Sequence, residues 1–558
     1  MVKKFIGMIN KEIGGLHEAA YLLGIFAILS QILALVRDKL LAYRFGAGLE
    51  LDLYYAAFRI PDLLFVIFAS VVSSSILIPF FIDHFQKGER EGKKFVDDLF
   101  SVFFFLLVVV SLVVLALAPF LVNKLLPGFA ASSHFSELVW MTRILLLSPL
   151  LLGFSNFFSS LTQMHGRFLV YALSPLVYNI GIIFGVLVLY PIFGLKGLVL
   201  GVVLGALLHA LIQVPFVLHK NLFPKFTTSI NWASLKKVAL VSVPRTLTLS
   251  ANQLASFFLV ALASIMSVGS IAIFNLAWNL QSVPLSIIGV SYSSAVFPAL
   301  SRFFTEKKKE LFLERMIDSA RHIIFWSVPA TVLFIVLRAQ IVRVVFGAGE
   351  FDWSDTRLTA AALSLFIISV VGQGLILLFV RAYYAEGRTK KPLYINLVSA
   401  VFMAILALLL VKQAYQMPTL LYFLEEILKV SGQAGTAVLL LPFAYSIGVG
   451  LNTILHWRSF SKDYPEFSRP VLFTLFHTFA ASVIMGYVTF VSLRLFDIFP
   501  MEKVWGVFLQ GFLAGLCGLL ALVLSLVLLR NREIREMWQA LHQRIWKSKV
   551  VIPDPEIL

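Results

Sequence analysis

The sequence predicts an all-α polytopic membrane protein. Of its 558 residues, 59% are hydrophobic and only 14% are charged, and the mean hydropathy is +0.90, which lies outside the range of soluble globular domains. Apolar runs of about 20 residues recur along the chain, and each is long enough to cross about 30 Å of hydrocarbon. Lys and Arg are concentrated in every second connecting loop. These three observations predict about fourteen transmembrane helices.

The first seven apolar runs cover 19-42, 53-82, 98-123, 138-163, 168-192, 195-218 and 238-266. The other seven cover 270-299, 320-345, 358-384, 392-412, 435-457, 470-495 and 505-529. Between runs eleven and twelve, residues 417-430 have the period of a short amphipathic helix that does not span the membrane. The sequence does not indicate a role for that segment.

The loops rich in Lys and Arg predict which side of the membrane is cytoplasmic. Basic clusters lie before the first run, after every second run and in the C-terminal tail, so both termini are predicted to be cytoplasmic. An amphipathic lead-in is predicted at 1-18. The tail at 531-558 is predicted to be an amphipathic helix that rests on anionic lipid, with binding to a partner protein as the alternative.

Small motifs recur at a nearly constant offset, which predicts an internal repeat. Ser74-Ser75-x-x-x-Pro79 is matched by Ser293-Ser294-x-x-x-Pro298, and Gly166-Arg167 is matched by Gly387-Arg388. The repeat predicts two six-helix lobes, helices 1-6 at 19-220 and helices 7-12 at 236-458, around a central cavity. Helices 13 and 14, at 470-530, are an addition to this plan. Repeats with a site between them are a known arrangement in transporters.

Several kinds of chemistry are absent from the sequence. Cys517 is the single cysteine, and the ten histidines are scattered without metal-ligand spacing, so no metal site is predicted. The sequence has no phosphate-binding loop for ATP, and no cofactor is expected. Paired carboxylates for acid–base catalysis are also missing, so we expect a transporter and not an enzyme. The basic residues lie in short clusters between apolar runs, so we expect contact with membrane lipids and not with nucleic acid.

The stretch from Arg37 to Leu64 is unusual because it carries six ionisable residues within apolar segments. They are Arg37, Asp38, Arg44, Asp52, Arg59 and Asp62. Ionisable groups within the bilayer usually face a protein interior or a watery cavity. Arg37 and Arg59 flank the short F-G-A-G turn on adjacent predicted helices, and Arg245 follows a proline early in helix 7. Guanidinium groups bind phosphate or carboxylate through paired hydrogen bonds, so these residues predict an anion-binding cavity.

The same stretch resembles the MurJ/MviN family of lipid II flippases, within the superfamily that includes the MATE exporters and polysaccharide flippases. The resemblance rests on R-D at Arg37, F-G-A-G, Asp52 and A-F-R-I-P-D-L-L, and it continues at Phe346 to Leu363 and at Arg381 to Pro392. It implies flipping of lipid II, a peptidoglycan precursor, across the bacterial cytoplasmic membrane by alternating access. It further implies that Arg37, Arg59 and Asp52 contact the pyrophosphate headgroup, with Arg245 as an added cation.

The chain departs from the family pattern where family members carry arginines. Gln31, Phe65, Val66 and Asn279 stand at those positions. We assign Gln31, Asn279 and Asp38 a structural or coupling role. The missing cations keep two alternatives open, a flippase for another polyprenyl-linked glycan and a non-transporting envelope scaffold. A MATE-like exporter of cations is disfavoured because the cavity is basic. We expect a monomer.

Overall fold

The computed structural model describes residues 16–500 and 503–536. Within this range helices are joined by turns, which confirms the predicted all-α fold. Most of the predicted lead-in and tail lies outside the described residues. The side chains of residues 16–21, 70, 71, 75, 244, 245, 248, 249, 251 and 252 also fall outside the description.

The described residues from 16 to 264 form twelve α-helices. They are α1 Leu16–Phe45, α2 Leu49–Ala57, α3 Arg59–Val71, α4 Ser74–Gln86, α5 Glu89–Leu125, α6 Phe135–Leu145, α7 Leu147–Met164, α8 Phe168–Phe184, α9 Tyr190–Phe193, α10 Leu195–Leu211, α11 Val214–His219 and α12 Trp232–Ser264. A π-helical turn at Gly185–Leu189 joins α8 to α9.

The remaining described residues form eleven more α-helices. They are α13 Ser270–Pro284, α14 Ser291–Thr305, α15 Lys309–Val336, α16 Arg338–Phe346, α17 Trp353–Ile367, α18 Val370–Ala385, α19 Lys390–Gln416, α20 Thr419–Leu428, α21 Leu440–Asp463, α22 Ser468–Leu495 and α23 Val504–Leu528. A second π-helical turn, Leu285–Val290, joins α13 to α14.

Ten stretches of the described chain are long and apolar enough to cross a membrane. They are Glu89–Leu125, Phe135–Met164, Phe168–Phe193, Leu195–His219, Ser270–Thr305, Lys309–Val336, Lys390–Gln416, Thr436–Asp463, Pro465–Leu495 and Val504–Leu528. The pair α17 and α18, bent by 40°, makes an eleventh if it is one span. The protein is therefore a multi-pass membrane protein, and the count of fourteen stays a prediction.

The second predicted helix, 53-82, is not continuous. It is divided into α2, α3 and α4, with breaks at Phe58 and at 72–73. Pro61 lies in the first turn of α3, where its missing N–H would have had no partner within the helix. The first break places Arg59 at the start of α3 and Asp52 within α2.

Contacts divide the chain into two compact units. The first contains the described residues up to 280, 345–365 and 388–449. Its apolar cluster is rich in phenylalanine, with Phe81, Phe157 and Phe216 almost fully buried. The second contains 281–344, 366–387 and the described residues from 450 to 536. Its core includes Phe379 and Phe460. These units follow packing, whereas the lobes 19-220 and 236-458 were inferred from a sequence repeat and stay a prediction.

Candidate functional site

Arg37 of α1 is held in place by two neighbours in the first unit. Its Nε donates to Asp38 Oδ1 at 2.9 Å, and a terminal nitrogen lies 2.8 Å from the same oxygen. Its Nη1 donates to Asn179 Oδ1 of α8 at 3.0 Å. The side chain keeps 20% of its surface exposed, whereas Asp38 keeps 2%. Arg37 is thus a fixed guanidinium with one accessible edge, and Asp38 offsets its charge.

The other oxygen of Asp38 faces α13. Asn279 donates from Nδ2 to Asp38 Oδ2 at 2.9 Å. The carboxylate therefore links α1 to α13, which supports the structural role that we assigned to Asp38 and Asn279. As a neutral amide, Asn279 adds no positive charge beside Arg37.

Arg59 is more deeply buried than Arg37 and has fewer partners. Its side chain is 8% exposed, and one terminal nitrogen donates to Asn275 Oδ1. Its Nε is buried and has no hydrogen-bond partner among the described residues. Burying a charged group without full hydrogen bonding costs several kcal/mol. Within the described part of the chain, Arg59 is therefore a buried cation with one N–H donor, Nε, left unfilled.

Asn275 and Asn279 lie four residues apart on α13 and so share one face of that helix. Asn275 contacts Arg59, and its Nδ2 is anchored by Ile271 O at 2.7 Å. Asn279 contacts the Asp38 partner of Arg37. This face therefore contacts Arg59 directly and is connected to Arg37 through the Asp38 carboxylate.

Asp52 caps a helix. Its Oδ2 accepts from the Gly269 N–H at 2.6 Å and its Oδ1 accepts from the Ala272 N–H at 2.7 Å. The Gly269 N–H immediately precedes α13 and the Ala272 N–H lies in its first turn, where backbone N–H groups lack partners within the helix. The carboxylate is 4% exposed. The geometry makes Asp52 a positioning residue for α13, and contact with substrate stays a prediction.

Two other predicted site residues are less informative. Gln31 is half-buried in α1, six residues before Arg37. Arg245 lies within α12, but its side chain is outside the described residues. Among the described residues no group of three or more His, Cys, Asp or Glu side chains is placed to hold a metal ion.

Near the site, three segments of the first unit are packed closely together: 43–48, 267–270 and 348–355. We call them the loop cluster. The Ala47 N–H donates to Asp355 Oδ2 at 3.0 Å, and the Glu350 N–H donates to Tyr43 O at 3.0 Å. A Cβ on Gly269 would lie 2.1 Å from Ala47 O, and Gly269 has a φ of +90°. Glycine is required there, because a side chain would separate the two segments.

Two asparagines that hold the arginines, Asn179 and Asn275, were not predicted from the sequence. A single Asn in an apolar helix is a weak signal, because it usually finds a hydrogen bond in the core. The spacing Asn275-x-x-x-Asn279 was the better signal, since it places two amides on one helix face.

Comparison with known proteins now identifies the fold and the family. The family model described as lipid II flippase MurJ matches residues 41–510. A curated relative from Buchnera aphidicola, named probable lipid II flippase MurJ, is 25% identical over 88% of this chain and 94% of its own length.

Solved structures agree with this on the fold. A structure of lipid II flippase MurJ in an inward closed conformation has a TM-score of 0.72 at 22% identity, over 92% of this chain and 99% of that chain. An inward-facing multidrug MATE transporter has a TM-score of 0.61 at 14% identity, over 77% of this chain and 95% of its own. Because the family model covers most of the sequence and the fold agrees, the chain belongs to the MurJ family.

Proposed function

We propose that the chain flips lipid II, a peptidoglycan precursor, across the bacterial cytoplasmic membrane. Its family and its curated relatives, which are named lipid II flippases, support this proposal. In the same proposal both termini are cytoplasmic, the chain works as a monomer, and it transports its substrate without catalysing a reaction.

The buried guanidinium of Arg59 is the observation that carries the proposal. Its Nε has no partner among the described residues, and its neighbour Asn275 is a neutral amide. A phosphate oxygen is a strong acceptor for such a group, and the resulting charge-assisted bond is short and directional. The pyrophosphate of a polyprenyl-linked substrate would supply that oxygen while its tail stays in lipid.

Arg37 offers a second contact of a different kind. Asp38 and Asn179 fix its orientation, so little side-chain entropy is lost when its exposed edge meets an anion. Because Asp38 already offsets its charge, Arg37 contributes directed hydrogen bonds more than net attraction. Arg245 is proposed as a third cation at the same site.

Alternating access is the mechanism that we infer. The loop cluster closes one end of the first unit through bonds such as Ala47–Asp355, and Asp52 ties α2 to the start of α13. Opening at that end requires these few bonds to be exchanged for bonds to water. Transport then depends on a difference in substrate affinity between the two states.

A second candidate is a flippase for another polyprenyl-linked glycan. Asn279 favours it, because this residue gives the site a neutral amide where the family carries an arginine. A site with fewer cations would fit a headgroup of lower negative charge.

Complementation tests the main proposal. The native lipid II flippase is depleted in a rod-shaped bacterium that expresses this chain, and growth and the outer exposure of lipid II are measured. We expect both to be restored. No rescue despite normal amounts of the chain in the membrane would overturn the assignment. Rescue only of a strain that lacks a different polyprenyl-glycan flippase would select the second candidate.

The variant Arg37→Ala sharpens this test, and Arg44→Ala is its matched control. Arg44 lies two turns further along α1 and is exposed. Its Cζ lies 5.4 Å from the centre of the Tyr190 ring. We expect Arg37→Ala to abolish rescue and Arg44→Ala to preserve it. Equal rescue by both variants would remove Arg37 from the site.

A further inference from the structure

The short helix α20 has one face that the protein covers and one that it leaves bare. At ten residues it is only about 15 Å long, too short to span a membrane. Leu424 is 5% exposed, whereas Tyr422, Phe423 and Ile427 are 60%, 59% and 57% exposed. This bare face exposes a large aromatic and an aliphatic side chain, and such a surface indicates contact with an apolar partner.

That bare face continues the outer surface of a candidate membrane span. The preceding helix, α19, exposes a row of large apolar side chains along its length: Tyr394, Val398, Val401, Ile405, Leu409 and Tyr415. The row passes through Met417, 66% exposed, into α20. Exposed large apolar side chains therefore recur along α19, at Met417 and at Phe423 of α20, which directly follows the end of this candidate span.

The polar side of α20 limits how deeply the helix can lie in the membrane. Glu425 lies about 200° around the helix from Phe423, and its Oε1 accepts from Thr436 Oγ1 at 2.5 Å. Glu426 accepts from Ser431 Oγ at 2.9 Å and is exposed. A helix with apolar and acidic sides fits the boundary between acyl chains and water.

The end of α20 is tied to the loop cluster. Lys429 adopts a left-handed conformation, with φ of +59°, and ends the helix. Its carbonyl accepts from Arg357 Nη2 at 2.6 Å. Arg357 lies two residues after Asp355, the acceptor of the Ala47 N–H. The backbone of Gly435 also packs on Ser267, since an added Cβ would lie 2.9 Å from Ser267 Oγ.

We propose that α20 is an interfacial helix whose Phe423 and Ile427 side chains lie among lipid at the membrane–water boundary, and that it anchors the loop cluster to the bilayer surface. The partner is the lipid interface at the end of α19 opposite to Lys390. The proposal is independent of the substrate and stands even if complementation fails. It gives segment 417-430 the role that the sequence did not indicate.

Spin labels on the full-length protein in lipid nanodiscs test the first half of the proposal. Because Cys517 is the single cysteine, Cys517→Ser gives a cysteine-free background. Labels are placed at Phe423→Cys and Ile427→Cys, with Glu426→Cys as the matched exposed control on the polar side. Collision rates with oxygen, which partitions into lipid, and with a water-soluble nickel complex are measured by power saturation.

We expect the labels at 423 and 427 to favour oxygen several-fold over the label at 426. Equal access of the nickel complex to all three sites would overturn the proposal, because α20 would then lie in water. Low access of both reagents at 423 and 427 would overturn it too, because a protein surface would then cover the helix.

Hydrogen exchange tests the anchoring. The double variant Phe423→Asp/Ile427→Asp removes the lipid contact and leaves the Arg357–Lys429 bond possible. We expect faster exchange in a peptide that covers 43–52, which contains the Ala47 N–H, and unchanged exchange in α15 as an internal control. Unchanged exchange in 43–52 would overturn the anchoring role. Faster exchange in both regions would also overturn it, because the effect would then be general destabilisation.

Discussion

Arg59 in the first unit and Arg321 in the second are both buried arginines in membrane helices, and their surroundings are opposite. Arg321 Nε donates to Thr474 Oγ1 at 3.0 Å and to Glu533 Oε1 at 2.8 Å, and a terminal nitrogen lies 2.7 Å from that carboxylate. Thr474 also donates to Glu533 at 2.7 Å. Arg59 has an amide acceptor and an Nε without a partner among the described residues.

The contrast distinguishes an arginine with a structural role, Arg321, from the arginine that we propose to bind the substrate, Arg59. The charge of Arg321 is neutralised by Glu533, which lies just after α23, so the pair fastens the start of the C-terminal tail to α15 and α22. Nearby, Ile534 packs on a cluster that includes Met485 and Leu522. Among the described residues, Arg59 has no carboxylate in hydrogen-bonding contact, and this incomplete pairing fits the anion-binding role that we propose for it.

The largest expected effect follows from breaking the buried ion pair between Arg321 and Glu533. Arg321→Ala leaves the Glu533 carboxylate buried without its cation, and breaking a buried pair costs about 3–5 kcal/mol. We expect the free energy of unfolding to fall by about that amount, measured by denaturant unfolding in detergent. The double variant Arg321→Met/Glu533→Leu should recover most of the loss. An unchanged stability of Arg321→Ala would show that the pair is not structural.

Arg59 should show the reverse pattern. Arg59→Met removes an under-bonded buried charge, and this relief offsets the lost bond to Asn275, so we expect stability to change by less than about 1 kcal/mol. Flipping of labelled lipid II in proteoliposomes should fall roughly 10–100-fold, since charge-assisted hydrogen bonds contribute about 1.5–3 kcal/mol.

The variant Arg59→Lys is the control for this prediction. It keeps the charge but loses the planar fork of donors, so we expect it to flip lipid at an intermediate rate. If Arg59→Met instead lost stability and kept its flipping rate, Arg59 would be a structural arginine like Arg321.

The smallest expected effect is a pH dependence of the stability that Glu533 contributes where the start of the C-terminal tail packs on α15 and α22. Burial alone would raise the pKa of the Glu533 carboxyl, but the Thr474 hydrogen bond and the Arg321 charge outweigh it and leave the pKa below the usual value. A lowered pKa adds stability above the usual value of about 4.3, and this stability is lost as the pH falls through the folded-state pKa.

The wild type and Glu533→Gln measure this effect together. We expect the wild type to have the higher thermal midpoint at neutral pH and the difference to shrink below about pH 4. A difference that stays constant down to pH 3 would contradict the assigned ionisation.

The membrane fold and the two arginines could be predicted from the sequence, because apolar length and intramembrane charge are local signals. Arg59 contacts Asn275 of α13, and Arg37 is connected to the same helix face through Asp38 and Asn279. The role of Asp52 was not predictable, because its hydrogen-bond partner Gly269 lies 217 residues away along the chain. A carboxylate that caps a distant helix has no local signature.

The break in the second predicted helix had a weak local signal in Pro61. A proline within an apolar run is compatible with a kinked span as well as with two helices, so hydropathy alone favoured one continuous helix. The interfacial position that we propose for α20 likewise depends on which of its side chains are buried, as Leu424 is, and which are exposed, as Phe423 is. Periodicity alone does not show this difference.

The amides on α13 have an electrical consequence. Moving one elementary charge through 100 mV of membrane potential involves about 2.3 kcal/mol, and a carboxamide carries no charge at any pH. Asn275 and Asn279 therefore let α13 contact Arg59 and the Asp38 partner of Arg37 without adding a charge to α13. At these two contacts the charged groups, Asp38 and Arg59, lie on α1 and α3, so the membrane field acts there on those two helices and not on the amides of α13.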